Sequence, residues 1–133
     1  MLVEDNNPYR KIVRDDLLSR FPSIKVIEAS NGEEALKGLF LYPIDLIFMD
    51  ISLPNQIGIL LTKEIKIDNP NVTVVMLSGY DFDAYLRASL QSGASGFVYK
   101  YSMNVGQQIS TVVTCFLGAR EAGRLKPACL LLS

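Results

Sequence analysis

Short apolar runs alternate with longer segments of helical periodicity along most of this 133-residue chain. The runs are four to six residues long and rich in Val, Ile and Phe, and each is bounded by polar or turn-forming residues. This alternation predicts repeated βα units around a parallel sheet, which is an α/β fold. The predicted strands lie near 1–4, 24–28, 45–50, 72–77 and 96–100, and the predicted helices near 7–20, 32–41, 58–68, 82–92 and 103–121.

Local signals mark the ends of several of these helices. Asn6 or Asn7 is a candidate N-cap for the first helix, and residues 30–34 offer a capping side chain followed by acidic residues for the second. Gly93 follows the fourth helix and is expected to end it in the left-handed conformation that glycine adopts readily. These signals support the helix positions that the periodicity predicts.

Composition excludes several general classes of partner. The chain has 13 basic and 14 acidic residues, so its net charge gives no overall attraction to nucleic acid or to an anionic membrane. Histidine is absent, which removes the commonest metal ligand and general base. Cys115 and Cys129 lack the spacing of a metal site, and we expect both to be free thiols in a reducing compartment. The chain has no apolar stretch of about 20 residues and no secretory signal pattern. A cytoplasmic protein without a membrane partner is therefore expected.

The length is that of one domain. We expect a domain over residues 1–122, and we expect residues 123–133 to be a linker or tail, because Gly123 and Pro127 interrupt the last helix. Only two residues separate Met1 from the acidic pair that follows the first strand. Either that strand is unusually short or the natural protein begins a few residues earlier.

Polar side chains follow four of the five predicted strands. Glu4 and Asp5 follow the first strand, Asp50 ends the third, Ser78 follows the fourth and Lys100 ends the fifth. Because the carboxyl ends of parallel strands share one edge of a sheet, these side chains are expected to meet there. The resulting set of three carboxylates, one hydroxyl and one ammonium suits a divalent cation and a phosphoryl group.

The chemistry of such a set can be predicted further. Three neighbouring carboxylates repel one another unless a cation lies between them or one is protonated, and Mg²⁺ prefers oxygen ligands. The Asp50 carboxylate could then attack phosphorus and form an acyl phosphate, with Lys100 offsetting charge on the transferring group. The hydroxyl of Ser78 would donate a hydrogen bond to a phosphoryl oxygen. Such a reaction needs no histidine base.

Four motifs, in order, carry a resemblance to a known family. They are residues 2–6, 50–54, 76–79 and 93–100, with 28 positions from Asp50 to Ser78 and 22 from Ser78 to Lys100. The chain resembles the receiver domains of two-component response regulators, and it looks closest to the NarL/LuxR-like class of transcription regulators. The resemblance implies a flavodoxin-like, doubly wound, five-stranded parallel sheet with strand order 2-1-3-4-5 and five helices.

The resemblance also implies roles for individual residues. Asp50 would be the phosphoacceptor, and Asp5 and Asp50 would bind Mg²⁺ directly. Glu4 would act on the metal through water, the backbone carbonyl of Ser52 would be a further ligand, and Lys100 would pair with the phosphoryl group. The protein itself would be no enzyme beyond its own phosphorylation and dephosphorylation.

A conformational switch and several partners are implied as well. After phosphorylation, Ser78 would move toward the new oxygens and Phe97 would turn inward, although Phe97 could also be a core aromatic without a switching role. The phosphoryl group would come from a sensor histidine kinase or a phosphotransfer protein. The face formed by the fourth helix, fifth strand and fifth helix would change and could support a homodimer. DNA would be contacted only through an output domain that is not in this chain.

Departures from the family pattern leave alternatives open. Tyr101 stands where the family often has proline, and Ile57 stands where a small polar residue is common. A stand-alone receiver that acts by protein contact is the main alternative. A phosphatase of the haloacid-dehalogenase type would need a second Asp at position 52, which is Ser in this chain. A flavodoxin-like nucleotide binder and a degenerate receiver without metal fit the acidic residues less well.

Overall fold

Five parallel strands form one sheet that carries helices on both faces. The structure, a computed structural model, describes residues 1–80, 83–121 and 123. In chain order, the strands are β1 (Leu2–Val3), β2 (Glu28–Ala29), β3 (Leu46–Asp50), β4 (Ser52–Leu53), β5 (Gln56–Ile57), β6 (Thr73–Ser78) and β7 (Gly96–Tyr99). The helices are α1 (Asn7–Arg20), α2 (Gly32–Leu41), α3 (Gly58–Asp68), α4 (Asp83–Gln91) and α5 (Val105–Glu121).

The order of strands in the sheet is β2-β1-β3-β6-β7, and every pair is parallel. If only the sheet strands are numbered, this is the order 2-1-3-4-5, so the predicted flavodoxin-like topology is confirmed. The other two strands, β4 and β5, pair with each other as a short antiparallel ribbon directly after Asp50. This ribbon corresponds to none of the predicted strands.

The second strand is shorter than predicted and lies nearer the C-terminal end of its predicted range. It was predicted over 24–28, whereas only Glu28–Ala29 pair as a strand. The reason lies in its neighbour, because β1 has only two residues and their partners are Glu28 and Ala29. Ile27 still accepts a hydrogen bond of 2.8 Å from the backbone N–H of Leu2, and the residues before Ile27 lie outside the register of β1.

Two apolar clusters fill the spaces on either side of the sheet. Alternating strand residues face opposite sides, as the period of a strand requires. One cluster joins the sheet to α2, α3 and α4, and includes Val3, Ile47, Met49, Val74, Met76, Ala35, Leu61, Ile65 and Phe97. The other joins it to α1 and α5, and includes Leu2, Phe48, Val75, Leu77, Val98, Val13, Leu17, Ile109 and Val113.

Asn6 and Gly93 mark the two helix boundaries that the sequence predicted for them, the start of α1 and the end of α4. The side chain of Asn6 accepts a hydrogen bond of 3.0 Å from the backbone N–H of Tyr9, so Asn6 is the N-cap of α1. Gly93 has a φ of 106° two residues after α4, a conformation that disfavours any residue with a Cβ atom. Both predictions are confirmed.

The C-terminal region gives one correction. Cys115 on α5 is in a disulfide bond, so the prediction of a free thiol there is wrong. Cys129 and most of the predicted linker, residues 124–133, lie outside the described residues. The cysteine content therefore no longer supports a reducing compartment. Among the described helices, none combines the length and the apolar character needed to cross a bilayer.

Candidate functional site

Three carboxyl groups meet at the carboxyl edge of the sheet, as predicted. Glu4 and Asp5 follow β1, and Asp50 ends the neighbouring strand β3. One oxygen from each residue lies within 4.8 Å of the other two, with Glu4 and Asp50 buried and Asp5 exposed. Three clustered carboxylate oxygens are the donors that a hard divalent cation prefers. These residues therefore fit a metal of the Mg²⁺ type, with Asp5 open to solvent.

Lys100 reaches the same place from the end of β7. Its ammonium group lies 2.9 and 3.0 Å from the two carboxylate oxygens of Glu4, and 3.5 Å from Oδ2 of Asp50. Burial alone would lower the pKa of Lys100, but its hydrogen bond to Glu4 and the charges of Asp50 and Glu4 outweigh burial and raise that pKa. Lys100 is therefore charged at neutral pH, and it is paired more closely with Glu4 than with Asp50.

Asp50 has an unusual protonation equilibrium. Burial, a hydrogen bond with the side chain of Glu4 and the charge of Glu4 raise its pKa from 3.8 to about 7. Lys100 and the backbone N–H of Ser52, which donates to Oδ1 of Asp50 over 3.1 Å, act in the opposite direction. The net effect is that Asp50 keeps its proton to a higher pH than an exposed carboxyl group does when no cation is present.

Without a divalent cation, the contribution of Asp50 to the free energy of unfolding is expected to fall as pH rises from about 4 to about 7. The folded pKa of Asp50 is raised, so its contribution is complete below 3.8 and is lost as pH passes about 7. Between about pH 4 and about pH 7, the unfolding free energy of the unsubstituted protein should therefore fall by about 1 to 4 kcal/mol relative to that of Asp50→Asn. Urea unfolding in EDTA measures the difference. A difference that is the same at about pH 4 and about pH 8 contradicts the raised pKa.

The hydroxyl of Ser78 lies at the same edge, but its hydrogen bonds are made with the backbone of Tyr80. Ser78 ends β6 directly after Leu77, the residue that pairs with Asp50 in the register, and it is fully buried. Its Oγ donates to the carbonyl of Tyr80 over 2.7 Å and accepts from the N–H of Tyr80 over 2.9 Å. A hydrogen bond from Ser78 to a phosphoryl group on Asp50 would require its side chain to leave Tyr80.

Phe97 lies inside the core of the sheet. Its side chain is 8% exposed, and it stands opposite Met76 in the register of β6 and β7. It belongs to the apolar cluster that also contains Tyr85 and Leu86 of α4 at its border. The inward position that was predicted to follow phosphorylation is thus already adopted here, and a switching role for Phe97 stays a prediction.

Sequence reasoning missed two residues of α1 that contact the site. The ammonium group of Lys100 lies 4.7 Å from the centroid of the Tyr9 ring. The guanidinium group of Arg10 donates to the backbone carbonyl of Glu4 over 2.6 Å and pairs with Glu28 over 3.0 Å. The available signal was their position in the first turn of a helix that begins directly after the acidic pair.

A comparison with known families agrees with this geometry. The family model described as the response regulator receiver domain matches residues 1–109. This match covers well over half of the chain, and the chain belongs to the response regulator receiver domain family. Members of this family are signalling domains of two-component systems. The resemblance drawn from the four motifs is therefore confirmed, and the phosphatase alternative is not favoured.

Individual relatives and structures support the same assignment. The chain is 31% identical over 101 residues to the transcriptional regulatory protein DegU of Brevibacillus brevis, covering 75% of this chain and 42% of DegU. It is 31% identical over 116 residues to the chemotaxis protein CheY of Halobacterium salinarum, covering 86% of this chain and 95% of CheY. The receiver domain of the putative response regulator NarL from Mycobacterium tuberculosis matches with a TM-score of 0.75 at 26% identity, covering 88% of this chain and 94% of that chain. This chain spans less than half the length of DegU.

Proposed function

We propose that this domain receives a phosphoryl group on Asp50 and signals through the conformational change that follows. One observation carries the proposal. The Asp50 carboxyl group is buried at the end of β3, beside two other carboxyl groups and 3.5 Å from the Lys100 ammonium group. Buried anionic clusters with a nearby cation are suited to phosphoryl transfer, since the reaction depends on positioning and charge stabilisation.

The acidic cluster would hold Mg²⁺, and a bound cation would neutralise charge on the transferring phosphoryl group. Asp5 and Asp50 would be direct ligands, Glu4 would act through water, and the backbone carbonyl of Ser52 would be a further ligand. The close approach of the three carboxyl groups supports this set. The role of the Ser52 carbonyl rests on the family resemblance, since the contact recorded for Ser52 is that of its N–H with Asp50.

The residues of the chain would carry out the transfer as follows. A carboxylate oxygen of Asp50 forms a bond to phosphorus while the bond from phosphorus to the donor breaks, and the leaving group keeps the electron pair. Lys100 moves its ammonium group from Glu4 to a phosphoryl oxygen, a shift that its flexible stem permits. Ser78 turns from Tyr80 to donate to another phosphoryl oxygen. The rearrangement of Ser78 would carry the signal to the surface.

Metal-dependent self-labelling tests this proposal. Incubation with Mg²⁺ and acetyl phosphate is expected to add one phosphoryl group, stable in acid and labile in base, which intact mass spectrometry detects. Addition of EDTA should reduce labelling at least about tenfold, because three carboxylates without a cation repel an incoming phosphate. Equal labelling with and without EDTA would contradict a metal site at Glu4, Asp5 and Asp50.

The source and the output of the signal belong to the same proposal. A sensor histidine kinase or a phosphotransfer protein would supply the phosphoryl group. The two relatives bear the names of a transcriptional regulator and a chemotaxis protein, so they support both a DNA-binding output outside this chain and a stand-alone receiver. The face of α4, β7 and α5 would be the switching surface and a possible dimer interface. The domain limit at residue 122 and the cytoplasmic location remain predictions from the sequence.

A further inference from the structure

The ring of Tyr9 lies against the ammonium group of Lys100, which follows β7. Tyr9 is the third residue of α1, and its backbone N–H is held by the N-cap Asn6. The ammonium group of Lys100 is 4.7 Å from the centre of its ring, within the distance at which a cation is attracted to an aromatic face. The Lys100 side chain is only 10% exposed, so this contact is made in a nearly water-free setting.

The Tyr9 ring stays neutral in this setting. Burial raises the pKa of Tyr9 to about 12, with the charge of Lys100 acting in the opposite direction. The Tyr9 hydroxyl is buried and has no hydrogen-bond partner among the described residues. The ring face is therefore the part of Tyr9 that has a recorded contact with Lys100.

The Lys100 ammonium group contacts the carboxylates of Glu4 and Asp50 and the ring of Tyr9, and the ring is the contact that phosphorylation need not disturb. The closest contact is the pair of short hydrogen bonds to Glu4. That contact must loosen if Glu4 takes part in holding a metal and Lys100 turns to a phosphoryl oxygen. A lysine freed in this way would extend its long stem toward water unless another group kept it in the pocket.

We propose that Tyr9 is a positioning residue for Lys100, its ring keeping the ammonium group inside the pocket while that group exchanges Glu4 for a phosphoryl oxygen. This inference rests on the proposed phosphoacceptor role of Asp50. It adds to that role a residue of α1 that does not touch the reacting atoms. Without the ring, water would reach the ammonium group and weaken its attraction to the phosphoryl group.

Two substitutions separate the ring from the hydroxyl. Tyr9→Phe keeps the ring and removes the unpartnered hydroxyl, and Tyr9→Leu removes the ring but keeps an apolar side chain. At saturating acetyl phosphate and Mg²⁺, Tyr9→Leu should lower the labelling rate constant about 3- to 30-fold, and Tyr9→Phe should change it less than about twofold. Tyr42→Leu, at an exposed tyrosine that ends α2, is the matched control and should not change the rate.

Two further measurements tie the effect to Lys100. In the protein without metal or phosphodonor, the ring should shift the NMR signals of the Lys100 ε-protons upfield. This shift should persist in Tyr9→Phe and disappear in Tyr9→Leu. In a Lys100→Met background, which retains slow labelling or none, Tyr9→Leu should cause no additional loss.

The possible outcomes distinguish this inference from the proposed function. A Tyr9→Leu protein that labels at the unsubstituted rate, or a Tyr9→Phe protein that loses as much as Tyr9→Leu, overturns the role of the ring. An additional loss in the Lys100→Met background overturns the role of Lys100 as the intermediary. If the unsubstituted protein takes no label, the proposed function fails, and unchanged Lys100 proton shifts in Tyr9→Leu would then overturn the contact independently.

Discussion

Replacement of Asp50 by Asn is expected to abolish phosphorylation by acetyl phosphate. The amide keeps the size of the side chain and can still accept the hydrogen bond from the N–H of Ser52, but its oxygen is not a nucleophile toward phosphorus. Intact mass spectrometry should show no added phosphoryl group under conditions that label the unsubstituted protein completely. Asp68→Asn, at an exposed aspartate that ends α3 away from the acidic cluster, is the control and should label normally.

The same substitution should also remove the response to metal. Mg²⁺ at millimolar concentration is expected to raise the melting temperature of the unsubstituted protein, because a ligand that binds only the folded state stabilises it. The Asp50→Asn protein should respond much less, since one of the three clustered carboxylates is gone. Persistent labelling of Asp50→Asn would show that another residue is the nucleophile. An equal thermal shift in both proteins would show that Asp50 is not a ligand of the metal.

Replacement of Gly58 by Ala is expected to be among the most destabilising single-methyl changes in this domain. A Cβ atom at Gly58 would lie 2.0 Å from the backbone carbonyl oxygen of Asp50, a distance that backbone atoms cannot tolerate. The N–H of Gly58 also donates to the carbonyl of Ile51 over 2.7 Å, so the two segments cannot separate without losing this bond. We expect a loss of at least about 3 kcal/mol of unfolding free energy, measured by urea unfolding.

Gly118→Ala is the matched control for this experiment. Gly118 lies inside α5, and a Cβ atom there would meet nothing within 4 Å. Alanine is favoured over glycine in a helix, so this change should be neutral or should stabilise by up to about 1 kcal/mol. Since Gly58 contacts the backbone of Asp50, Gly58→Ala should also slow labelling in any molecules that remain folded. A Gly58→Ala protein as stable as Gly118→Ala would show that the close approach of β3 and α3 is not required.

The helices of this domain could be predicted well because their signals are local. The predicted ranges of α1, α2 and α3 coincide with those in the structure, because a repeated apolar face defines each helix over consecutive residues. Capping side chains also mark the starts of α1 and α2, whereas α3 begins without one. The second strand could not be placed as well, because its length depends on how many residues β1 offers for pairing. The β4–β5 ribbon was missed for a similar reason, since it contains only four residues and pairs only with itself.

The residues of the candidate site could be predicted from the sequence, but the contacts between them could not. The alternation of strands and helices indicates that Glu4, Asp50 and Lys100 end parallel strands, and parallel strands bring their carboxyl ends to one edge. Lys100 was expected to pair with the phosphoryl group, and its pairing with Glu4 was not expected. The latter contact joins residues 96 positions apart, and its distance depends on the packing of every strand between them.

The amino-acid sequence by itself determined the order of strands and helices and the polar residues that end the strands, because periodicity and capping act between near neighbours in the chain. Only the tertiary structure decided how those residues are paired and charged. The raised pKa of Asp50, the turn of Ser78 toward Tyr80 and the ring of Tyr9 against Lys100 all depend on burial and on short distances between separate elements. Electrostatic interactions and burial change steeply over a few ångströms, and those distances are fixed only when the helices and the sheet pack together.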